Sequence, residues 1–574
     1  MKVQRTRRNP RALYALSAAA GIGLLSRHAN AIISIDDFNF VNGELGAYTF
    51  YNQGLWGFDA NVANIEAGLV WNGHETTTAI NTVIPNSFLA GNGQVDMHAT
   101  WVGQTIAGTG NFTYQVGMAP GANLWTGAVA TDWQSQGTGA YSGSFDVSDA
   151  SFATPYIEAM VTGVNGQTAD VINSSWQGSQ GINGNHPYDR AIDALLAQSG
   201  KTMVVAAGNQ GPSDFIGFPA SANNVIVVGA TTGDTTVPVY SSVASFSDTS
   251  PSDFFVPTSP DGSTGKTHFV SRAVVDIVAP GTDLALAHYG GATGGNAFGG
   301  ATDGHTDFYN VGLSGTSFSS PIVAGSAALI VNAGKFNYGG DPRAIDGRVV
   351  KAVLMNSASK LAGWDNGQQI VNGVITTKQA LDWAQGTGQV NLATAYTQYT
   401  GGTTDLATSG GMVQPIGWAY GTITHNPSAE TDRDYVINTP LNINEVVSVT
   451  LDWFSNDNFD TSNLNTLITS YGSFDNLDLQ VWQTDAGGLP QSLIAQSISP
   501  YNSAEHLYFT LPSNGDYLIR VLEKNYIYNF TGATSTDYGL AWSVVPEPSA
   551  SGFLLILSLG GLSLRRRSHR PTTA

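Results

Sequence analysis

The chain has 574 residues, too many for one ordinary core, so its length favours two or more domains. Its 67 glycines and 11% charged residues describe a globular, turn-rich protein and exclude a disordered low-complexity chain. Cysteine is absent, which excludes disulfides, thiolate metal sites and cysteine nucleophiles together, and the formal net charge of −20 argues against a nucleic-acid partner.

Residues 1–31, "MKVQRTRRNPRALYALSAAAGIGLLSRHANA", have a basic start at Arg5, Arg7 and Arg8 and an apolar stretch from Leu13 to Leu25. They end in a small-x-small pattern at Ala29 and Ala31. That is the form of a secretory signal peptide, with cleavage expected before Ile32.

From about residue 59 to 390, apolar strand-like runs alternate with helical patterns. "ANVANIEAG" (60–68) ends an apolar-leaning strand on one acid, Glu66. A carboxylate there is costly to bury alone, so it is either a solvated turn residue or half of a working pair. "MHATWVGQTIAG" (97–108) opens a helix pattern on His98. "DVINSSW" (170–176) and "TMVVAAG" (202–208) read as strands. Between them "PYDRAIDALLAQSG" (187–200) sets Tyr188, Ile192, Leu195 and Leu196 on one helical face and stops at Gly200, giving a βαβ unit. Further strands at 223–230 and 274–280, then helices from Ser317 to about Ala333 and from Ala344 to about Ser357, predict an α/β domain with a mainly parallel sheet. Chemistry in such sheets gathers where strands end and helices begin.

The strongest local signal is "LSGTSFSSPIVAGSAALIV" (313–331), where Ser317 meets a Gly-Thr turn and an apolar helix. A serine hydroxyl needs a neighbouring base and a water-poor pocket to act as a nucleophile, and a helix N-terminus offers unpaired N–H groups to a nascent oxyanion. On the residues alone, a helix-capping serine fits equally well. The segment resembles the nucleophile motif of the subtilisin-like serine peptidases, G-T-S-x-[SA]-x-P, at Gly315, Thr316, Ser317, Ser319 and Pro321.

That resemblance extends over roughly residues 45–395 and implies a role for each remaining motif. His98, Thr100 and Val102 are similar to H-G-T-H-V-A-G, with Ala99 and Trp101 replacing a glycine and a histidine; the resemblance makes His98 the general base. "VVAAGNQGP" carries Asn209 at the place of the oxyanion-hole asparagine. "ANVANIEAG" fits the strand of the triad acid at every anchor but one, Glu66 standing for aspartate. Its extra methylene moves the carboxylate by about 1.5 Å, and triads with glutamate are established on another fold. Ser174, Ser175, Trp176, Gln177 and Gly178 are implied to line the cleft and pair a peptide as an added strand.

No cofactor is required by this reading. Relatives use structural calcium, but no dense carboxylate loop marks a site here. Many relatives carry an inhibitory segment before the catalytic acid, and only residues 32–65 stand between the expected leader and Glu66.

After about residue 400 the pattern changes to short alternating strands, among them "VVSVTLDW", "NLDLQVW", "DYLIRVLE" and "YGLAWSV". This predicts an antiparallel β-sandwich over residues 400–545, joined through "YTGGTTD" and similar to the pre-peptidase C-terminal domain of secreted bacterial hydrolases. The end, 546–574, has Pro546-Glu547-Pro548, an apolar run from about Ala550 to Leu564, and Arg565, Arg566 and Arg567. It resembles the PEP-CTERM sorting signal, which implies transient membrane anchoring and delivery to the bacterial surface or beyond. Between the two ends, residues 32–545 hold 13 basic and 42 acidic residues, net −29, so the basic ends serve export and sorting machinery rather than a polyanion.

The expected protein is thus an exported α/β serine endopeptidase acting on proteins or peptides: signal peptide 1–31, peptidase domain 32–399, sandwich 400–545 and sorting segment 546–574. The alternative is a surface protein with a degenerate peptidase fold that acts by binding, favoured by Glu66 and by the altered neighbours of His98.

Overall fold

A computed structural model describes residues 14–17, 37–87, 94–109, 116–134, 143–178, 183–212, 216–233, 239–297, 309–406, 410–426 and 428–545. The sorting segment and most of the leader lie outside the described residues. So does most of the Gly-rich stretch before Ser317.

Six parallel strands carry the first half: β1 (Asn61–Glu66), β2 (Asn123–Ala128), β3 (Val171–Ser174), β4 (Thr202–Ala206), β5 (Ile226–Gly233) and β6 (Ile277–Pro280). Their order is β5-β4-β3-β1-β2, with β6 also paired to β5. Thr82–Val83 adds a parallel edge beside β2, and Tyr240–Val243 adds an antiparallel one beside β5. Strands buried on both faces read as continuous apolar runs, which is why 202–206 and 226–230 were legible from sequence.

Helices cover both faces. α1 (Met97–Ala107), α2 (Pro187–Ser199), α3 (Thr316–Asn337) and α4 (Gly347–Asn356) are the ones that matter to the site. In α2 the four apolar residues of the expected face are buried, Pro187 sits in the first turn, and Gly200 closes the helix at φ 65°. Helix α3 is buried continuously from Thr316 to Gly334. Among the described residues it is the one helix long and apolar enough to cross a bilayer; its apolar window is 100% buried, so it serves as the core helix.

The α/β fold with a C-terminal β region is thereby as expected, and several elements are additional. Asn123–Ala128, helix Asp149–Ile157 and the hairpin Ser252–Pro257/Gly265–Arg272 carried no strong period in the sequence. Of the expected leader, Tyr14–Ser17 forms a strand antiparallel to both Ser144–Val147 and Gln177–Gly178.

The C-terminal residues form two facing, mostly antiparallel sheets around Trp453, Phe474, Tyr517 and Trp542. Parallel pairs occur at the edges, where Val374–Thr377 joins Pro490–Ser497 and Thr403–Asp405 joins Ile416–Thr424. The sheet that holds Val446–Trp453 and Ser535–Val545 is seated on α4, and the other meets α2 through Asn456–Asp460 and Ile468–Thr484. Lys351 Nζ, buried, lies 3.1 Å from Asp276 beside β6 and 3.3 Å from Asp452 in the strand Val446–Trp453, and donates to Val225 O. Burial pushes Asp452 up to about 7. Lys351→Met would leave two buried carboxyl groups without their cation and is expected to lower stability by about 3–5 kcal/mol. Guanidinium unfolding measures it, and a loss below about 1 kcal/mol would show that the cluster does not join the two regions.

Candidate active site

Glu66 is the last residue of β1, at the C-terminal edge of the sheet, and is 1% exposed. A buried carboxylate needs donors on both oxygens, and here each has one. Glu66 Oε2 accepts from His98 Nδ1 at 3.0 Å, and Oε1 accepts from the backbone N–H of Ser175 at 2.7 Å. One glutamate therefore ties the histidine to the strand that runs into the cleft.

His98 is the second residue of α1, whose start is fixed by Asp96. The Asp96 carboxylate accepts from the N–H groups of His98 and Ala99, at 3.3 and 3.2 Å, and from Asn296 Nδ2 at 3.0 Å. With Nδ1 donating to Glu66, His98 presents Nε2 as the basic nitrogen, and that atom is buried without a hydrogen-bond partner. Burial pulls the imidazole down from its ordinary 6.5. The hydrogen bond and charge of Glu66, joined by the charge of Asp96, outweigh it, and the net shift is upward. Trp101 and Phe318 flank the ring, at centroid distances of 6.3 and 6.1 Å, so the replaced histidine position has become part of an aromatic wall.

Ser317 is the second residue of α3 and is 5% exposed. Its Oγ donates to Ser175 O at 3.1 Å rather than to His98 Nε2. The hydroxyl is thus tied to the backbone that follows β3. The next residue, Phe318, has its ring centroid 6.1 Å from that of His98, and the helices that begin at Met97 and Thr316 pack against each other.

Asn209 follows β4. Its Oδ1 accepts from Thr316 N at 2.8 Å and from Thr316 Oγ1 at 2.9 Å, which fixes the amide orientation and leaves Nδ2 as its donor group. Gly208 N donates back to Thr316 Oγ1 at 3.1 Å, so the turn at 208–209 and the start of α3 are one hydrogen-bonded unit.

The segment 174–178 lies beside Glu66 and Ser317, and its side chains are buried. Ser174 Oγ and Trp176 Nε1 both donate to Ile65 O, at 3.1 Å each, and the indole packs among Phe145, Phe152 and Phe218. Ser174 and Trp176 therefore support the cleft from beneath. What the segment presents to an extended chain is backbone, as its pairing with Tyr14–Ser17 illustrates.

Three polar residues went unnoticed in the sequence. Asn173 Nδ2 donates to Asn64 Oδ1 at 3.1 Å and to Ser175 Oγ at 3.2 Å, while Ser320 Oγ donates to Asn173 Oδ1 at 2.8 Å. This ladder joins β1, β3 and α3 directly under the site. Its signal was present: an asparagine interrupts each of two otherwise apolar strands, "NVANIE" and "VINS". No group of three or more metal-ligating side chains occurs among the described residues.

A Subtilase family model matches residues 89–388, a span that holds His98, Asn209 and Ser317 and leaves Glu66 outside. Similar proteins include Subtilisin DY of Bacillus licheniformis, 29% identical over 280 residues that cover 47% of this chain and 77% of that one. Subtilisin NAT of Bacillus subtilis subsp. natto is 27% identical over 296 residues, covering 50% and 60%. Among solved structures, the self-cleaved protease domain of PatA is 22% identical, covers 60% of this chain and 97% of its own, and has a TM-score of 0.40. With more than half of its length matched by that model, the chain belongs to the subtilase family.

Proposed function

We propose that the chain is an exported serine endopeptidase that hydrolyses peptide bonds through an acyl-enzyme, using Ser317, His98 and Glu66. The observation that carries this reading is the buried, unpartnered Nε2 of a histidine whose other nitrogen is held by Glu66, beside a serine at a helix N-terminus. Ser317 Oγ turns from Ser175 O to His98 Nε2 as a peptide enters and attacks its carbonyl carbon. His98 takes the proton and returns it to the leaving amine. Asn209 Nδ2 and the N–H of Ser317 receive the negative charge of the tetrahedral intermediate. Glu66 stabilises the imidazolium and, through Ser175 N, keeps the cleft strand in register with it. An extended substrate adds as a strand along Ser144–Val147 and Gln177–Gly178. The basic, apolar leader and the Pro-Glu-Pro tail support export, with the tail as a transient anchor.

The second reading is a degenerate fold that binds without cleaving, favoured by the Ser317 hydroxyl resting on Ser175 O. A serine-directed fluorophosphonate separates the two: the wild type is expected to be labelled and Ser317→Ala is not. Folded but unlabelled wild type ends the peptidase reading.

Glu66→Gln is expected to lower kcat by about 10,000-fold, the scale seen when a triad acid becomes an amide. Glu66→Asp should keep part of the rate, because its shorter side chain reaches one of the two donors rather than both. A fully active Gln variant would remove Glu66 from the triad. Asn209→Ala should cost about 100- to 1,000-fold in kcat, a magnitude known from subtilisin itself.

The pH profile tests the imidazole. Only neutral His98 is a base, so kcat/KM rises as pH climbs through its raised pKa, and the midpoint of the acid limb is expected above 6.5. In the residual activity of Glu66→Gln that midpoint should move down; an unmoved limb would place the titration elsewhere.

A further inference from the structure

The turn Gly208–Asn209–Gln210 carries the oxyanion donor, and it is held from two sides. Thr316 holds one side, through Gly208 N and Asn209 Oδ1. On the other stands Asp248, fully buried and given no role by the mechanism. Its backbone N–H donates to Gly208 O at 3.0 Å, and its Oδ1 accepts from Gln210 N at 2.6 Å. Its second oxygen, Oδ2, is buried without a hydrogen-bond partner, and so is Nε2 of Gln177 on the cleft strand.

These two side chains meet at one place. Gly208 has φ 119°, and a Cβ added there would overlap both Asp248 Oδ2 and Gln177 Oε1. Carboxyl and amide thus converge on the face of the turn that only glycine leaves open. Asp248 Oδ2, buried and unpartnered, has Gln177 Oε1 on the other side of that point and needs a hydrogen there. Burial pushes the Asp248 carboxyl up to about 7, so its protonated form is accessible near neutral pH and can donate from Oδ2; a half-turn of the Gln177 amide supplies an N–H instead. Either arrangement makes one hydrogen bond across Gly208.

We propose that Asp248, joined to Gln177 by that bond, is a positioning residue that fixes the Gly208–Gln210 turn, and with it the amide of Asn209, against the strand that receives the peptide. The inference rests on the peptidase reading above. It makes the geometry of the carboxyl group matter and its charge dispensable, since asparagine would accept from Gln210 N with Oδ1 and donate to Gln177 Oε1 with Nδ2.

Four proteins decide it on one chromogenic peptide: wild type, Asp248→Asn, Asp248→Leu and Gln177→Met. Asp248→Asn should stay within about twofold of wild type in kcat and KM, because both hydrogen bonds survive. Asp248→Leu should lose about 100-fold in kcat, the scale of a misplaced catalytic group, with KM within about threefold. Gln177→Met should show the same split at about tenfold, and it decides the matter if the leucine variant fails to fold. Wild-type kcat in Asp248→Leu or in Gln177→Met overturns the proposal, as does an asparagine variant as impaired as the leucine one. A wild type inert to fluorophosphonate removes the peptidase reading and this one with it, whereas an active wild type with unchanged variants removes this one alone.

Discussion

A carboxylate at the end of the central strand has to be satisfied there or the strand cannot end where it does. Glu66 meets that demand with two bonds, one to the His98 ring and one to the N–H of Ser175. Those bonds set the relative position of β1, the start of α1 and the exit of β3, which are the three elements whose ends form the cleft. Neither oxygen is left to water, so moving any one of the three elements would strand a buried charge.

Around this pair the site is built from helix starts and strand ends. His98 and Ser317 are each the second residue of a helix, one held by Asp96 and the other by the Thr316–Asn209 bonds. Beneath them Asn64, Asn173 and Ser320 tie β1, β3 and α3 in one polar ladder. A ladder of this sort within an apolar core is costly unless each member is paired, and once paired it leaves a single arrangement. The result places His98, Ser317 and Asn209 on packed elements, with Trp101 and Phe318 flanking the imidazole.

The C-terminal sheets are part of the same mechanical object. Lys351 on α4 bridges Asp276 of the parallel sheet and Asp452 of the sandwich. Phe454 and Leu467 enter the core of the first region, and Trp418 and Ala541 enter its other face. Helix α4, which carries the strands Ile416–Thr424, Val446–Trp453 and Ser535–Val545, lies against α3 and β4, so these strands buttress the elements that carry Ser317 and Asn209.

The sequence by itself determined the parallel α/β sheet, the β-rich second half and the identity of His98, Asn209 and Ser317 as candidates, because apolar period and motif spacing are local properties. It also singled out Glu66, as either a solvated turn residue or half of a working pair. Tertiary structure alone decided that Glu66 holds two donors, that the Ser317 hydroxyl rests on Ser175 O, and that Trp176 supports the cleft from below. Ser320 and Asp248 went unread for the same reason. Each is a polar residue whose partner is supplied by a distant stretch of chain, and hydrogen bonds between distant stretches leave no period in the sequence.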